Sequence, residues 1–409
     1  MQKSYDIVII GSGMVGASMA VAFRETDQRI LVIDAGSYAA DESLPETYDI
    51  RVSAITEASR RFLQSLGVWS ELEAFRVAPY REMFVWDAGS DASVHFDVDQ
   101  GTESELGYII ENRVIQHYLL KQIEQAENID FMPGCRLDSI ISNSDETVTV
   151  CLENGERFNC SCLVGADGGR SKVRELAGIT TTGWQYDQSA LVATIRTEQS
   201  LNATAWQCFH SEGPLAFLPL QDHLCSIVWS TTPERASLLK EMPKAEFEMQ
   251  LAEAFEQRLG MVELESERGV FPLQLQHATQ YVKPGIALIG DAAHSIHPLA
   301  GQGVNLGFLD AACLVDVLQD AQKAGKAIGS QPVLRRYERW RKGDNLAMMF
   351  MMDAFKRMFA IESGPLKQVR DSGMRITDAI KPLKHLIMQG ASGMRGELPT
   401  RIKNSPPVF

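Results

Sequence analysis

Aromatic residues make up only 8% of the 409 positions, and no low-complexity tract is present, which together with 45% hydrophobic content excludes a disordered or fibrous chain. No apolar run reaches the roughly 20 residues of a membrane-spanning helix. The most apolar late stretch, residues 348–361, is broken by Asp353, Lys356 and Arg357, so it can lie against a lipid surface or a partner but cannot span. Basic charge is scarce: 39 Lys and Arg stand against 53 Asp and Glu, a net charge of −14, which opposes non-specific binding to nucleic acid. Seven cysteines, an odd number in a long chain, argue against a disulfide framework. Cys160 and Cys162 are the one close pair. They read as half a metal site or as two small residues in a strand, and the second reading is favoured because no other Cys or His pair has metal spacing. The first six residues lack the basic region and apolar stretch of an export signal, so a cytoplasmic location is expected.

What is there begins at Tyr5-Asp6-Ile7-Val8-Ile9-Ile10, a β-branched run suited to a buried parallel strand. The turn Gly11-Ser12-Gly13-Met14-Val15-Gly16 follows at once, and then a helix with small residues on its inner face. In such a turn Gly11 allows the bend, Gly13 leaves room for a pyrophosphate, and Gly16 lets helix and strand approach. The helix N-terminus would face the phosphates. Ile30 to Ile33 reads as the next strand, ending in Asp34 at the distance expected for a carboxylate that binds adenosine ribose hydroxyls. These features predict a dinucleotide site, and up to this point FAD and NAD remain equal.

Two later segments bear on that choice. Residues 286–294 read as a buried strand breaking at Gly290 with Asp291 next, an acid able to hold a polyol chain. Pro298-Leu299-Ala300-Gly301-Gln302-Gly303-Val304-Asn305 is a glycine-rich turn feeding a helix whose Leu306, Leu309, Cys313 and Val317 repeat at helical spacing. The positive end of that helix could steady negative charge on a reduced flavin ring. Between the two lies Leu163-Val164-Gly165-Ala166-Asp167-Gly168-Gly169-Arg170-Ser171-Lys172-Val173-Arg174. A helix beginning near Ser171 would put three cations where its dipole disfavours them, unless an anion or acid lies nearby.

In order and spacing, GSGMVG, GADGGRSKVR and GDAAHSIHPLAGQGVN resemble the three fingerprints of the class A flavoprotein aromatic hydroxylases, the p-hydroxybenzoate hydroxylase fold, over residues 4–320. Residues 51–55, 107–113 and 183–189 narrow the resemblance to the ubiquinone-biosynthesis hydroxylases, and residues 184–230 resemble the enzymes that hydroxylate 2-polyprenyl-3-methyl-6-methoxy-1,4-benzoquinol. The tail, residues 387–399, is more similar to sister hydroxylases acting on other ring positions.

The resemblance implies an α/β fold: a Rossmann-like FAD domain from residues 1–75, 105–180 and 276–330, an inserted mixed-sheet substrate domain from 76–104 and 181–275, and a helical region over 331–409. It implies cofactor contacts from Gly11, Gly13, Met14, Val15, Gly16, Asp34, Leu137, Gly290, Pro298, Gly301, Gly303, Val304 and Asn305. Arg51 and Arg113 would hold FAD phosphates, Asp167 belongs to a motif associated with FAD and NADPH, and Asp291 would bind the ribityl chain. By its residues alone, Arg113 reads as the exposed face of a helix formed by Val114, Tyr118, Leu119 and Ile123.

The implied reaction reduces tightly bound FAD with NADPH or NADH as a transient visitor, forms a flavin C4a-hydroperoxide with O₂, and transfers oxygen to a polyprenylated quinol or phenol. The flavin carries that chemistry, so no catalytic side chain is assigned, no metal is expected, and structural roles are favoured for His294 and His297. Other ubiquinone-biosynthesis proteins, the inner face of the membrane and a second copy of the chain are compatible partners. Competing readings are a flavin oxidase or reductase and a non-catalytic FAD-binding scaffold. Met348 to Met352, Phe355, Met358 and Phe359 could line an apolar passage for the prenyl tail or simply pack, and packing is favoured.

Overall fold

The computed structural model describes residues 3–38, 44–88, 90–98, 104–144, 146–221, 223–295, 302–359 and 365–405. Its first sheet is centred on the predicted N-terminal strand, Lys3–Ile10, whose Ile7, Val8 and Ile9 are fully buried. Such complete burial suits a strand with parallel neighbours on both sides and helices over the faces. Arg157–Gly165 lies on one side of it and Ile30–Asp34 on the other; Ile286–Leu288 and Ile129–Pro133 extend the parallel set outward. Leu137–Ser142 and Val148–Leu152 add antiparallel strands beside Arg157–Gly165.

The parallel register brings three distant segments to one edge. Ile10 pairs with both Ile33 and Gly165, and Gly165 pairs with Leu288. The residues that follow, Gly11, Asp34, Ala166 and Ile289, therefore leave the same ends of neighbouring strands, the place where open α/β sheets bind ligands. Met14–Ala22, Asn112–Glu124 and Gln302–Lys323 are the helices nearest that edge. Cys160 and Cys162 sit on Arg157–Gly165, and burial pushes the Cys162 thiol up to about 12, the state of a packing residue rather than a thiolate ligand.

A second, nine-stranded sheet takes Glu82–Asp87, Ser93–Asp97, the strands between Thr181 and Ala278, and the short His294–Ser295. Its pairings are antiparallel except that Thr204–His210 runs parallel to Glu82–Asp87. One face is closed by the helices Pro233–Glu241 and Lys244–Ala254, with Phe217 stacked on Phe255 at 3.6 Å between ring centroids. Pro219 ends the strand Gly213–Pro219, as its missing N–H predicts. A small sheet of Val52–Ile55, Gly107–Glu111 and Ala78–Tyr80 stands between the two large ones.

The methionine-rich stretch belongs to the helix Gln331–Phe359. Met349 is buried with Ala190, Leu273 and Leu275, and Phe359 stacks on Phe209 at 3.8 Å. Phe350 and Met351 face outward. Met349, Met352, Met358 and Phe359 pack, the side chain of Phe355 lies outside those described, and none of the described ones lines the cavity below.

Candidate functional site

The three glycines of the first turn divide into two kinds. Gly11, at φ +104°, and Gly16 are closed in: a Cβ on Gly11 would strike the carbonyl oxygen of Ala166, and one on Gly16 would strike that of Gly11. A Cβ on Gly13 would meet nothing within 4 Å. Two glycines are thus consumed by packing, and the third faces open space at the N-terminus of Met14–Ala22, whose cap has no side-chain hydrogen bond. That is the arrangement a pyrophosphate requires.

Asp34 closes one flank of this space. Its Oδ2 accepts from Ser12 N at 2.6 Å and Ser12 Oγ at 3.0 Å, and its Oδ1 accepts from Gly36 N at 2.7 Å. These bonds fix the carboxylate while leaving lone pairs for ribose hydroxyls. Leu137 is buried just beyond the same strand end, where Cys135 N donates to Asp34 O at 2.9 Å.

The second segment resolves the question raised by its cations. The helix Lys172–Leu176 is capped by Ser171, and Asp167 is the acid at its N-terminus, accepting from Lys172 N at 2.6 Å, Val173 N at 3.0 Å and Ser171 Oγ at 2.5 Å. Arg174 is buried and turned away from solvent, donating to Gly169 O at 2.7 Å and to Ala292 O at 2.8 Å. It therefore ties the second segment to the third.

Val15 joins the first segment to the third: a Cβ on Gly290 would lie 3.3 Å from its side chain, and one on Gly307 would lie 2.6 Å away. Asp291 remains open to solvent although protein surrounds it on most sides, as at the floor of a cleft. Burial raises its carboxyl above the ordinary range, against the pull of the nearby charges of His294 and Arg51. Arg51 also rests over the Phe271 ring at 5.5 Å.

Beneath the Gly290 turn lies a buried network that sequence reading missed. Asp310 accepts from Gly290 N at 3.1 Å, pairs with His294 Nε2 at 2.5 Å and Arg341 Nε at 2.9 Å, and accepts from Asn345 Nδ2 at 3.0 Å. Burial alone would raise the Asp310 carboxyl, but His294, Arg341 and Asn345 hold it at about 2. The His294 side chain is thereby fully buried and paired within the protein. Tyr281 extends the network to His277 at 3.0 Å, and burial lowers the His277 imidazole to about 4. The available signal was a lone acid in the otherwise apolar run from Leu306 to Val315.

Other expected residues are engaged with the protein itself. Arg113, in the first turn of Asn112–Glu124, is ion-paired to Glu111 at 2.8 Å, lies near Asp49 and donates to Thr47 O. Asn305 is buried; its Oδ1 accepts from Thr56 N at 3.0 Å and its Nδ2 donates to Ala54 O at 2.8 Å. It clamps the start of Gln302–Lys323 to the strand Val52–Ile55. Gly303 and Val304 occupy the first turn of that helix, and Met14 and Val304 pack partly buried against the main core. Pro298, Gly301 and His297 lie outside the described residues.

Ala54 and Thr56 also line a cavity of about 450 Å³. Its walls are mostly apolar: Met83, Trp206, Ala216, Leu218 and Val228 from the second sheet, Tyr80 and Leu106 from the small sheet and its approach, and Ile387, Met388 and Met394 from the C-terminal region. The two acids in the wall are neutralised, Glu57 by Arg60 and Arg61, both at 2.6 Å, and Glu105 by Arg81 at 3.1 Å. Trp206 Nε1 and His385 Nδ1, on two lining residues, have no hydrogen-bond partner among the described residues. An apolar pocket with a few polar groups, set against a nucleotide crevice, suits a largely hydrophobic small molecule.

The fold and these two adjoining spaces define a flavoprotein, and the chain belongs to the FAD-binding domain family, whose model matches residues 4–344. It is an FAD-dependent monooxygenase of the p-hydroxybenzoate hydroxylase fold. Among curated relatives, 3-demethoxyubiquinol 3-hydroxylase of Escherichia coli is 38% identical over 95% of this chain and 98% of its own length. Ubiquinone biosynthesis monooxygenase COQ6 of Xenopus tropicalis is 38% identical over 95% of this chain and 93% of its own. Among solved structures, PqsL of Pseudomonas aeruginosa, described as a probable FAD-dependent monooxygenase, has a TM-score of 0.77 at 21% identity, covering 92% of this chain and 100% of that one. The p-nitrophenol 4-monooxygenase PnpA of Pseudomonas putida has a TM-score of 0.77 at 19% identity over 97% of this chain and 100% of its own, a likeness of fold.

Proposed function

We propose that this enzyme hydroxylates the aromatic ring of a polyprenylated quinol or phenol on the route to ubiquinone, using NADPH or NADH as reductant and O₂ as oxidant. The observation that carries the reading is the shared strand: Val52–Ile55 walls the apolar cavity on one side and is clamped by Asn305 to the glycine-fed helix on the other. A ring bound there lies beside the flavin end of the crevice. The names of relatives that match at 38% identity across nearly the whole chain point to the same substrate class.

FAD, when bound, supplies hydride acceptance and oxygen activation; the chain supplies position and shelter. Gly13 leaves room for the pyrophosphate at a helix N-terminus, Asp34 takes the ribose hydroxyls, and Asp291 takes the ribityl chain, with Arg51 supplying positive charge nearby. Arg113 reaches the phosphates if it shares its guanidinium with Glu111, which a five-donor group can do. Asp167 orders the second segment from the helix end it caps. Gly303, Val304 and Asn305 present the start of their helix to the ring, and Leu137 packs near the adenosine end. The apolar cavity wall excludes water from the reacting ring. Tyr80, Gln207, Ser230 and Gln389 are polar residues of the cavity wall able to orient ring oxygens. We place the enzyme in the cytoplasm at the inner face of the membrane; none of its described helices is long and apolar enough to cross one.

The test is mass spectrometry of quinone intermediates in cells with and without the gene, grown under ¹⁸O₂. One under-hydroxylated precursor should accumulate in the deletion strain, and ¹⁸O should enter the product only when the gene is present. An unchanged quinone profile would sink the ubiquinone assignment. Turnover without ¹⁸O incorporation would leave an oxidase or reductase.

A further inference from the structure

The cavity has a wall that reaches the outside of the molecule. The helices Pro365–Ala379 and Lys381–Ala391 meet at Ile380, and their outer face exposes Ile376 at 53%, Ile380 at 44%, Leu386 at 46% and Ile387 at 38%. Ile387 is at once exposed and a lining residue of the cavity, so the outer apolar face and the cavity wall are continuous at this helix. Arg375 and Lys381 are exposed among these apolar side chains.

Charge separates this face from the other apolar exposures. The two helices, residues 365–391, hold five Lys and Arg against two Asp and Glu, with Arg370 and Lys384 buried in ion pairs, in a chain whose total is 39 against 53. Leu238, Met249 and Met261 are more exposed, at 68%, 60% and 62%, but they belong to residues 233–267, where four cations stand against nine acids. An anionic lipid surface attracts the first face and repels the second. Scattered exposed apolar residues need no explanation, whereas a cationic apolar face at a cavity wall does.

We propose that the outer face of these two helices, centred on Ile376, Ile380, Leu386 and Lys381, docks the enzyme on an anionic phospholipid bilayer, setting the cavity against the membrane that holds its lipid-tailed substrate. The inference rests on the substrate class proposed above. It moves the lipid contact from residues 348–361, which the sequence suggested, to the segment that follows them. Apolar side chains enter the interface, the flanking cations meet lipid phosphates, and the acidic body of the protein turns outward.

The test is co-sedimentation of the purified holoenzyme with vesicles of phosphatidylcholine alone or mixed with phosphatidylglycerol. The protein should bind the mixed vesicles at least tenfold more tightly than the neutral ones, and less tightly as salt rises. The double variant Ile376→Glu/Ile380→Glu should lose at least tenfold in binding, and Lys381→Glu should weaken it further at low salt. Leu238→Glu should bind as the parent does. All variants should keep their flavin absorbance and their turnover of a short-chain, water-soluble quinol. Equal binding to both vesicle types, or unchanged binding by the double variant, overturns the proposal. So does a parent protein that self-associates through this face and ignores vesicles. Vesicle binding without ring hydroxylation would remove the proposed function and leave a lipid-docking face; hydroxylation without vesicle binding would remove the docking face alone.

Discussion

The nucleotide crevice and the apolar cavity are built by opposite means. The crevice depends on backbone: glycines that touch carbonyl oxygens, a helix start, and carboxylates bonded to N–H groups. The cavity depends on side chains gathered from the second sheet, the small sheet and the C-terminal helices. Backbone geometry tolerates few residue types, so the crevice carries fixed motifs. An apolar wall accepts many side chains of similar volume, so the cavity leaves no motif, and this is where enzymes of one fold can diverge in substrate.

The comparison can be broken most forcibly at Asp310. Asp310→Ala would leave Arg341 and His294 buried without their partner, a loss of about 3–5 kcal/mol. Chemical denaturation should show it together with weakened FAD retention, since Gly290 N loses its acceptor. An unchanged midpoint would mean that the network does not brace the crevice.

The glycine pair sharpens the distinction within the crevice. Gly16→Ala drives a Cβ into backbone and should cost about 3 kcal/mol or more of stability. Gly13→Ala meets open space, so thermal unfolding of the apoprotein should move by less than about 0.5 kcal/mol. Its FAD dissociation constant should nevertheless rise at least tenfold, about 1.4 kcal/mol, read by flavin fluorescence titration. Equal effects of the two on unfolding would contradict the division drawn here.

Filling the cavity should spare the crevice. Ala216→Trp is expected to lower kcat/KM for the quinol by roughly tenfold or more, about 1.4 kcal/mol of transition-state stabilisation, with flavin content unchanged. Loss of flavin together with activity would show that the two spaces are not separable.

The smallest effect concerns acid. The His277 imidazole titrates at about 4 in the fold rather than at 6.5, so the unfolded chain takes up its proton first. The stability that neutral His277 contributes is full above pH 6.5 and declines as pH falls towards 4. His277→Gln should flatten the dependence of Tm on pH in that window. The Asp310 contribution follows lower, present above about pH 4 and lost as pH falls towards 2.

Much of the parallel sheet was legible because β-branched runs ending in glycine or acid, at Ile10, Asp34, Gly165 and Leu288, mark both a strand and its end. The helix start at Ser171 was legible from its cap residue, and Asp167 answers the charge problem the cations posed. Asn305 was expected at the cofactor, yet its side-chain amide is spent on Ala54 and Thr56, a partnership 249 residues long that no local pattern encodes. Asp310 and Arg341 escaped notice because a buried ion pair looks, in one dimension, like two ordinary charges on two helices. The cavity escaped because Trp206, Ala216 and Met388 are unremarkable until folding brings them together.

The Asn305 clamp makes the two spaces answerable to each other. Ala54 and Thr56 touch whatever fills the cavity, and the amide that holds them also fixes the first turn of the glycine-fed helix. Where a cavity ligand that tightens the strand also tightens the flavin's hold, thermodynamic reciprocity requires the flavin to favour that ligand by the same factor.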